Sequence, residues 1–363
     1  MNRRLRIAIR ILVIAVIVAG LWWVVREMDF ARLGESLRTA RAWPLVVAAA
    51  LNFVCLWGKA ACWRIMLAAR HSVGITRLFR YTIATFAASA IAPARAGEVL
   101  RVWTLKRRDG VPAAETAAVA VAEKLLDGIS MLILVAPVPL LLPGLPGIVV
   151  GTILVCAAIA IALFIGLFIA VGKVGRSDAA QPGQANGQAG VAAAPGSSTK
   201  PSPIRRFFAG MHVLRSPKRL LGSLALLILV WSADLGAVMA VLYALHIDLP
   251  IAAGMLVLFS LNVAIAIPST PAQAGALELG AVGALELLHV GREPAMAFAL
   301  LYHALQVVPL IAAGLILEYR LVLGREGRPA PANGEPCAPA KLAPPEPCPK
   351  PPATAPHPSH TRP

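Results

Sequence analysis

The stretch Ile91-Ala92-Pro93-Ala94-Arg95-Ala96-Gly97-Glu98-Val99-Leu100-Arg101 puts three charges, a proline and a glycine between two apolar, helix-forming runs, Leu78–Ala92 and Ala113–Leu142. A charge at the centre of a bilayer costs about 2.5–3.5 kcal/mol on insertion scales. Pro93 removes a backbone donor, and the Ala96-Gly97 step loosens a helix. In lipid, a backbone broken this way survives only where protein or a water-filled cavity surrounds it. A similar run, Pro271-Ala272-Gln273-Ala274-Gly275-Ala276-Leu277-Glu278, interrupts a second apolar region. The two runs are expected to form facing halves of one intramembrane site.

Around these breaks the chain has the composition of a polytopic membrane protein. Of its 363 residues 58% are hydrophobic and only 14% charged, against a usual quarter charged. The net charge of +16 could suit a nucleic-acid binder, but such a protein would not carry these apolar runs. The basic residues cluster instead at segment ends, where they set topology and meet anionic lipid. The five cysteines show no metal-ligand or disulfide spacing, so neither structural disulfides nor a metal site is expected, and no cofactor is expected either.

The apolar periods predict an all-α helical bundle of about six full spans and two re-entrant segments. Ile7–Val25 is expected to be an uncleaved first span, since residues 1–10 carry Arg3, Arg4, Arg6 and Arg10 and the run ends in Trp22-Trp23. Arg26–Ala42 suits a short interfacial helix. Further spans are expected at Trp43–Met66, Ala113–Leu142, Ile148–Val171, Leu220–Leu245 and Ala295–Leu317. Tyr81–Ala94 is basic on both flanks and about 14 residues long, short of the roughly 20 that a span needs. A re-entrant segment turning at Pro93 fits it, and a short span is the alternative. Around Pro271 a re-entrant pair or two further crossings both satisfy the flanks. The re-entrant solution makes the halves an inverted repeat, the plan of many transporters. Residues 173–203 form a flexible linker rich in Gly, Ala, Gln, Ser and Pro, and residues 324–363 a disordered Pro-rich tail. The positive-inside rule places both termini in the cytoplasm of a bacterial inner membrane.

Candidate site residues gather on the breaks and on two spans. Glu123, Lys124 and Asp127 share adjoining parts of one helix surface. Lys124 is expected to neutralise one of the two carboxylates, and Arg95 or Arg101 the other. The group could handle substrate or simply lock helices together. Arg95 and Arg101 present planar donor forks suited to phosphate oxygens; anchoring topology is the plainer role. His303, beside Tyr302 on the last span, could shuttle protons or pack as a hydrogen-bonded group. Asp234 could face the cavity from the second half. No nucleophile or phosphate-loop motif occurs, so an enzyme would have to work within the membrane through Glu98, Glu123, Asp127, Glu278 or His303.

Three motifs resemble those of the lysylphosphatidylglycerol synthase transmembrane-region family, also described as flippase-like. Pro93-Ala-Arg-Ala-Gly-Glu98 fits its P-A-R-A-G-E pattern. Glu123-Lys-Leu-Leu-Asp-Gly128 fits E-R-x-x-D-G, with Lys124 where arginine is usual. Pro268-Ser-Thr-Pro271…Gly275…Glu278 fits P-x-x-P-G-G-x-G-x-x-E, with Ala272-Gln273 in place of the paired glycines. Tyr302-His303 stands where tyrosine–arginine is common. The resemblance spans Arg10–Leu323 apart from the linker, and implies a stand-alone flippase-like domain without an attached synthase domain. It implies movement or binding of a polar lipid such as an aminoacylated phospholipid, with lipid-biosynthesis enzymes as partners in hopanoid or glycan-lipid pathways. A membrane-embedded lipid-modifying transferase and a scaffold for such enzymes are the alternatives. The substrate-binding residues it suggests are Arg95, Gly97, Glu98, Arg101, Glu123, Lys124, Asp127, Pro271, Gly275, Glu278, Tyr302 and His303. In the lipid reading, Glu98 and Glu278 share one cavity and attract a cationic group while Arg95 holds the phosphate.

Overall fold

The computed structural model describes residues 28–68, 70–91, 96–179, 216–266 and 270–323, together with Ala19, Trp22, Arg26, Phe207 and Met211. Most of the expected first span, most of the 173–203 linker and the 324–363 tail lie outside the described residues, as do Pro93, Arg95, Pro268 and Ser269. Within the described residues all regular structure is helical.

A short helix, α1 (Phe30–Arg38), opens the described fold. The Asp29 carboxylate caps it by accepting from Ala31 N–H at 2.9 Å. Leu33 and Leu37 lay its apolar side on the core. Then comes α2 (Ala42–Leu67), a long apolar helix with Pro44 in its first turn, where no backbone donor is lost. A broken hairpin follows, α3 (Ile75–Ile91) and α4 (Ala96–Asp109). Next is α5 (Ala113–Val135), continued past Pro137 by the single turn α6 (Val138–Leu141). After α7 (Gly147–Ala179), the second half has the same order: a long helix α8 (Pro217–Ala244), a broken hairpin α9 (Ile251–Ala264) and α10 (Ala276–Leu287), and a long helix α11 (Arg292–Val322).

Five stretches are long and apolar enough to cross a bilayer: Ala42–Leu67, Ala113–Leu141, Gly147–Ala170, Pro217–Ala244 and Arg292–Val322. They coincide with five of the six expected spans. The hairpin arms are shorter. At 1.5 Å per residue, α9 and α10 reach only about 20 Å each, short of a roughly 30 Å hydrocarbon core. This chain is therefore a multi-pass helical membrane protein in which two pairs of shorter helices are set among the long ones.

The leading helices of the two halves run in opposite directions. Arg41 N–H donates to Ala244 O at 2.9 Å, and Cys55 Sγ lies 3.3 Å from Val230 O. Residue numbers rise along α2 as they fall along α8, so the leading helices are antiparallel. The apolar core has two main clusters, each drawn mostly from one half and completed by residues of the other: Leu227, Leu310 and Leu321 join the first, and Ala48 the second. Trp63, Met66, Ile83, Leu105 and Leu126 fill the first, and Leu242, Leu258, Leu285 and Phe298 the second. By contrast, α7 leaves Leu154, Ile159, Leu163 and Phe168 exposed, a surface that suits lipid rather than water.

Close backbone approach holds each hairpin together. Gly97 N–H on α4 donates to Ser89 Oγ on α3 at 3.0 Å. In the second hairpin Ser260 Oγ on α9 donates to Gly280 O on α10 at 2.8 Å. The tip of that second hairpin, a one-turn 3-10 element Pro271–Gln273, packs against α3 of the first. Its path needs a run of positive φ: 50° at Ala272, 66° at Gln273 and 85° at Gly275. Only glycine adopts this conformation without a steric penalty, which for other residues is about 1–2 kcal/mol. Ala272 and Gln273 are the two positions where the sequence departs from a paired-glycine pattern. Replacing both by glycine should raise stability by about 1–2 kcal/mol, read as a higher midpoint of thermal unfolding in detergent.

Candidate functional site

The first hairpin and the two long helices beside it carry a ladder of three ion pairs. At the open end, Lys124 Nζ on α5 lies 3.4 Å from Glu98 Oε1 on α4, and the two side chains are 47% and 49% exposed. Next, Arg101 Nη1 stands 3.8 Å from Glu123 Oε2, with both side chains under 10% exposed. Between α2 and α5, Lys59 Nζ binds Asp127 Oδ1 at 2.8 Å. Three cations therefore meet three carboxylates one to one, as groups in a low-dielectric setting must.

Aromatic and hydroxyl groups complete the two inner rungs. Trp63 Nε1 donates to Glu123 Oε2 at 2.8 Å. The Arg101 guanidinium lies 4.5 Å from the Trp63 ring centre and donates from Nη2 to Thr82 Oγ1 at 2.9 Å. Lys59 Nζ stands 5.6 Å from the Trp231 ring centre, and Trp231 Nε1 donates to Asp127 O at 3.0 Å. Such cation–ring contacts strengthen where water is excluded.

The pairing differs from what the sequence spacing suggested. Lys124 was expected to neutralise Glu123 or Asp127; it turns to Glu98 instead. Consecutive residues on a helix point about 100° apart, so Lys124 faces α4 while Glu123 faces inward. Lys59 takes Asp127, and sequence reasoning missed it. One signal could have found it: Lys59 is a lone lysine inside the apolar run of α2, and an intramembrane charge is a site candidate by default. Arg101 meets Glu123 as one of the two expected arginines. Arg95, the other, lies outside the described residues.

The second half repeats the arrangement with different chemistry. Tyr302, His303 and Gln306 have the same spacing on α11 as Glu123, Lys124 and Asp127 on α5. In each set the second residue meets the glutamate that follows the hairpin break. Lys124 meets Glu98, and His303 Nδ1 meets Glu278 Oε1 at 2.6 Å. The other nitrogen of His303 lies 2.9 Å from Ala272 O, a pure acceptor, so Nε2 carries the proton. Glu278 Oε2 accepts from Gly275 N–H at 2.6 Å, capping α10. Tyr302 Oη donates to Asp234 Oδ1 at 2.9 Å, and Gln306 Nε2 lies 3.5 Å from the same oxygen. Asp234 thus joins the network from α8.

Glu98 and Glu278 accordingly have different surroundings. Glu98 is half exposed and faces one cation, whereas Glu278 is buried and both its oxygens are engaged. Gly97 lies in the first turn of α4, Gly275 caps α10, and Pro271 begins the strained tip.

Residues 7–314 match the family described as lysylphosphatidylglycerol synthase TM region. The chain belongs to that family. No curated protein matches it. Membership of the lysylphosphatidylglycerol synthase TM region family connects the chain with membrane lipids. Two of its departures from the expected motifs now have structural settings. Lys124 fills the arginine position of the second motif and still makes an ion pair. Ala272 and Gln273 hold the glycine conformation of the third motif without being glycine.

Proposed function

We propose that this protein binds the polar headgroup of a membrane lipid at the Glu98–Lys124 pair and carries it between leaflets. The basic end of the bundle, with Arg70, Arg77, Arg80 and Lys106–Arg108, faces the cytoplasm of the inner membrane under the positive-inside rule. The observation that supports the reading is the contrast in exposure along the ladder: the Glu98–Lys124 rung is half open, while the side chains of the other two rungs are at most 15% exposed. An ammonium group can bind phosphate oxygens, and a carboxylate beside it can bind an amine. A zwitterionic or aminoacylated phospholipid has that pair of charges. The bilayer itself opposes headgroup passage because charge in hydrocarbon is costly. A pair that exchanges its internal partner for headgroup charges lowers that barrier. The acyl chains would remain in lipid throughout, and the process needs no cofactor.

Reconstituted vesicles test this proposal. A fluorescent aminoacylated phospholipid in the inner leaflet should become accessible to an external quencher faster with the protein than without it. Glu98→Gln and Lys124→Gln should each slow the exchange by about tenfold, the equivalent of one charge-assisted hydrogen bond. Both rung-inner pairs remain intact in these variants, so the fold should persist. Exchange by both variants at the parent rate would refute the proposed site. Conversion of the lipid to a new product would point to a transferase.

A further inference from the structure

A second polar feature lies at the basic end, away from the ladder. An open cavity of about 430 Å³ is bounded by Gly74, Arg77, Arg80, Tyr81, Arg108 and Glu318. The residues come from the start of α3 and the end of α4, the two arms of the first hairpin, and from the end of α11, which is far from both in sequence. The volume is in the range of small-ligand sites.

The charge is one-sided. Three guanidinium groups line the cavity against one carboxylate. Glu318 is buried and bridges two of them: Oε1 lies 2.7 Å from Arg80 Nη2, and Oε2 lies 3.1 Å from both terminal nitrogens of Arg108. Arg77 Nη1 donates to Asp109 Oδ1 at 2.6 Å. The side chains of Arg77 and Arg80 are 59% and 49% exposed. A guanidinium has five N–H donors in a planar fork, more than these contacts engage in Arg77 and Arg80.

Backbone adds to the positive field. Ile75 begins α3, a helix of 17 residues, so its first-turn N–H groups lie at the cavity edge beside Gly74. These groups have no partner within the helix, and the helix dipole favours an anion there. On the opposite wall α11 breaks at Glu318, whose φ of −149° and ψ of 48° are not helical. The break releases Leu317 O, which accepts from Arg80 Nη2 at 3.2 Å. It also turns Glu318 between the two arginines, where its carboxylate bridges them, one oxygen to each, in the place a bound oxyanion would take.

We propose that this cavity is a phosphate-binding site at the membrane surface, in which a phosphate group competes with Glu318 for Arg80 and Arg108 while Arg77 closes the third side. The phosphate belongs to a lipid headgroup or to a soluble phosphate. The site is separate from the Glu98–Lys124 pair, and its occupancy does not depend on transport there.

Binding to the purified full chain in detergent tests the proposal, with dihexanoyl phosphatidic acid, dihexanoyl phosphatidylcholine and inorganic phosphate as probes. Phosphatidic acid should bind the parent about tenfold more tightly than Arg80→Gln, because one charge-assisted pair is lost. Glu318→Gln should bind about threefold or more tightly than the parent, because the competing charge is gone. That gain cannot arise from a damaged fold. Inorganic phosphate that displaces phosphatidic acid at matching concentration supports the site with a soluble source. Preference for phosphatidic acid over inorganic phosphate supports it with a lipid source. Equal affinity of the parent, Arg80→Gln and Glu318→Gln for phosphatidic acid overturns it, as does tighter binding of phosphatidylcholine by the parent.

Discussion

Replacing Lys59 by methionine should destabilise the protein by about 3–5 kcal/mol, the usual consequence of stranding one member of a buried ion pair. Asp127 would be left between α2 and α5 with its nearest cation removed, since Lys59 Nζ stands 2.8 Å from its Oδ1. The backbone contact from Trp231 to Asp127 O would remain, so the side-chain charge alone accounts for the loss. The double variant Lys59→Met with Asp127→Leu removes both charges and keeps apolar volume. It should recover to within about 1 kcal/mol of the parent, because well-packed apolar replacements of a buried pair are often neutral or better. Thermal unfolding in detergent, followed by tryptophan fluorescence, reads all three proteins. A single variant as stable as the parent would mean that the pair contributes nothing, and a double variant as weak as the single would place the damage in packing.

The second large effect concerns the hairpins. Adding a methyl group at Gly97 would drive it into the backbone carbonyl of Thr85 and the hydroxyl of Ser89. At Gly280 the methyl would meet Ala264 Cβ and the carbonyl of Ser260. Neither carbonyl can rotate away as a side chain could, so the arms must separate. Gly97→Ala and Gly280→Ala should each cost about 1–3 kcal/mol, the range for overpacking. Gly283→Ala serves as the control. It lies on the same helix as Gly280, has open space at Cβ, and should be neutral or stabilising by about 0.5–1 kcal/mol. If Gly97→Ala and Gly280→Ala match Gly283→Ala in thermal unfolding, the hairpin arms are not held by close backbone contact. Because the Glu98–Lys124 pair hangs on the arm that Gly97 positions, Gly97→Ala should also slow lipid exchange, whereas Gly283→Ala should not.

The sequence alone determined the helical class, five of the spans and the position of both breaks. Hydropathy acts locally: a run of about 20 apolar residues can satisfy its backbone in lipid only as a helix, whatever packs beside it. The breaks, one before Ala96 and one at Gly275, are equally local, since proline and glycine act on their own dihedrals. The strain at Ala272 and Gln273 was visible only as a departure from a glycine pattern; its φ values come from the folded tip.

Only the tertiary structure decided which charges meet. Lys124 has carboxylates at neighbouring and third positions on its own helix, yet it pairs with Glu98, because α4 passes on the side it faces. Lys59 is 68 residues from Asp127, and nothing in either local sequence refers to the other. The likeness of Tyr302-His303-x-x-Gln306 to Glu123-Lys124-x-x-Asp127 was hidden by different residue types and emerged from equivalent contacts to Glu98 and Glu278. Arg80 and Glu318, 238 positions apart in number, meet only because α3 and α11 pack together. Hydrophobic burial is nearly indifferent to order along the chain. Ion pairs and hydrogen bonds depend on separations of a few ångströms, and packing between distant helices alone sets those.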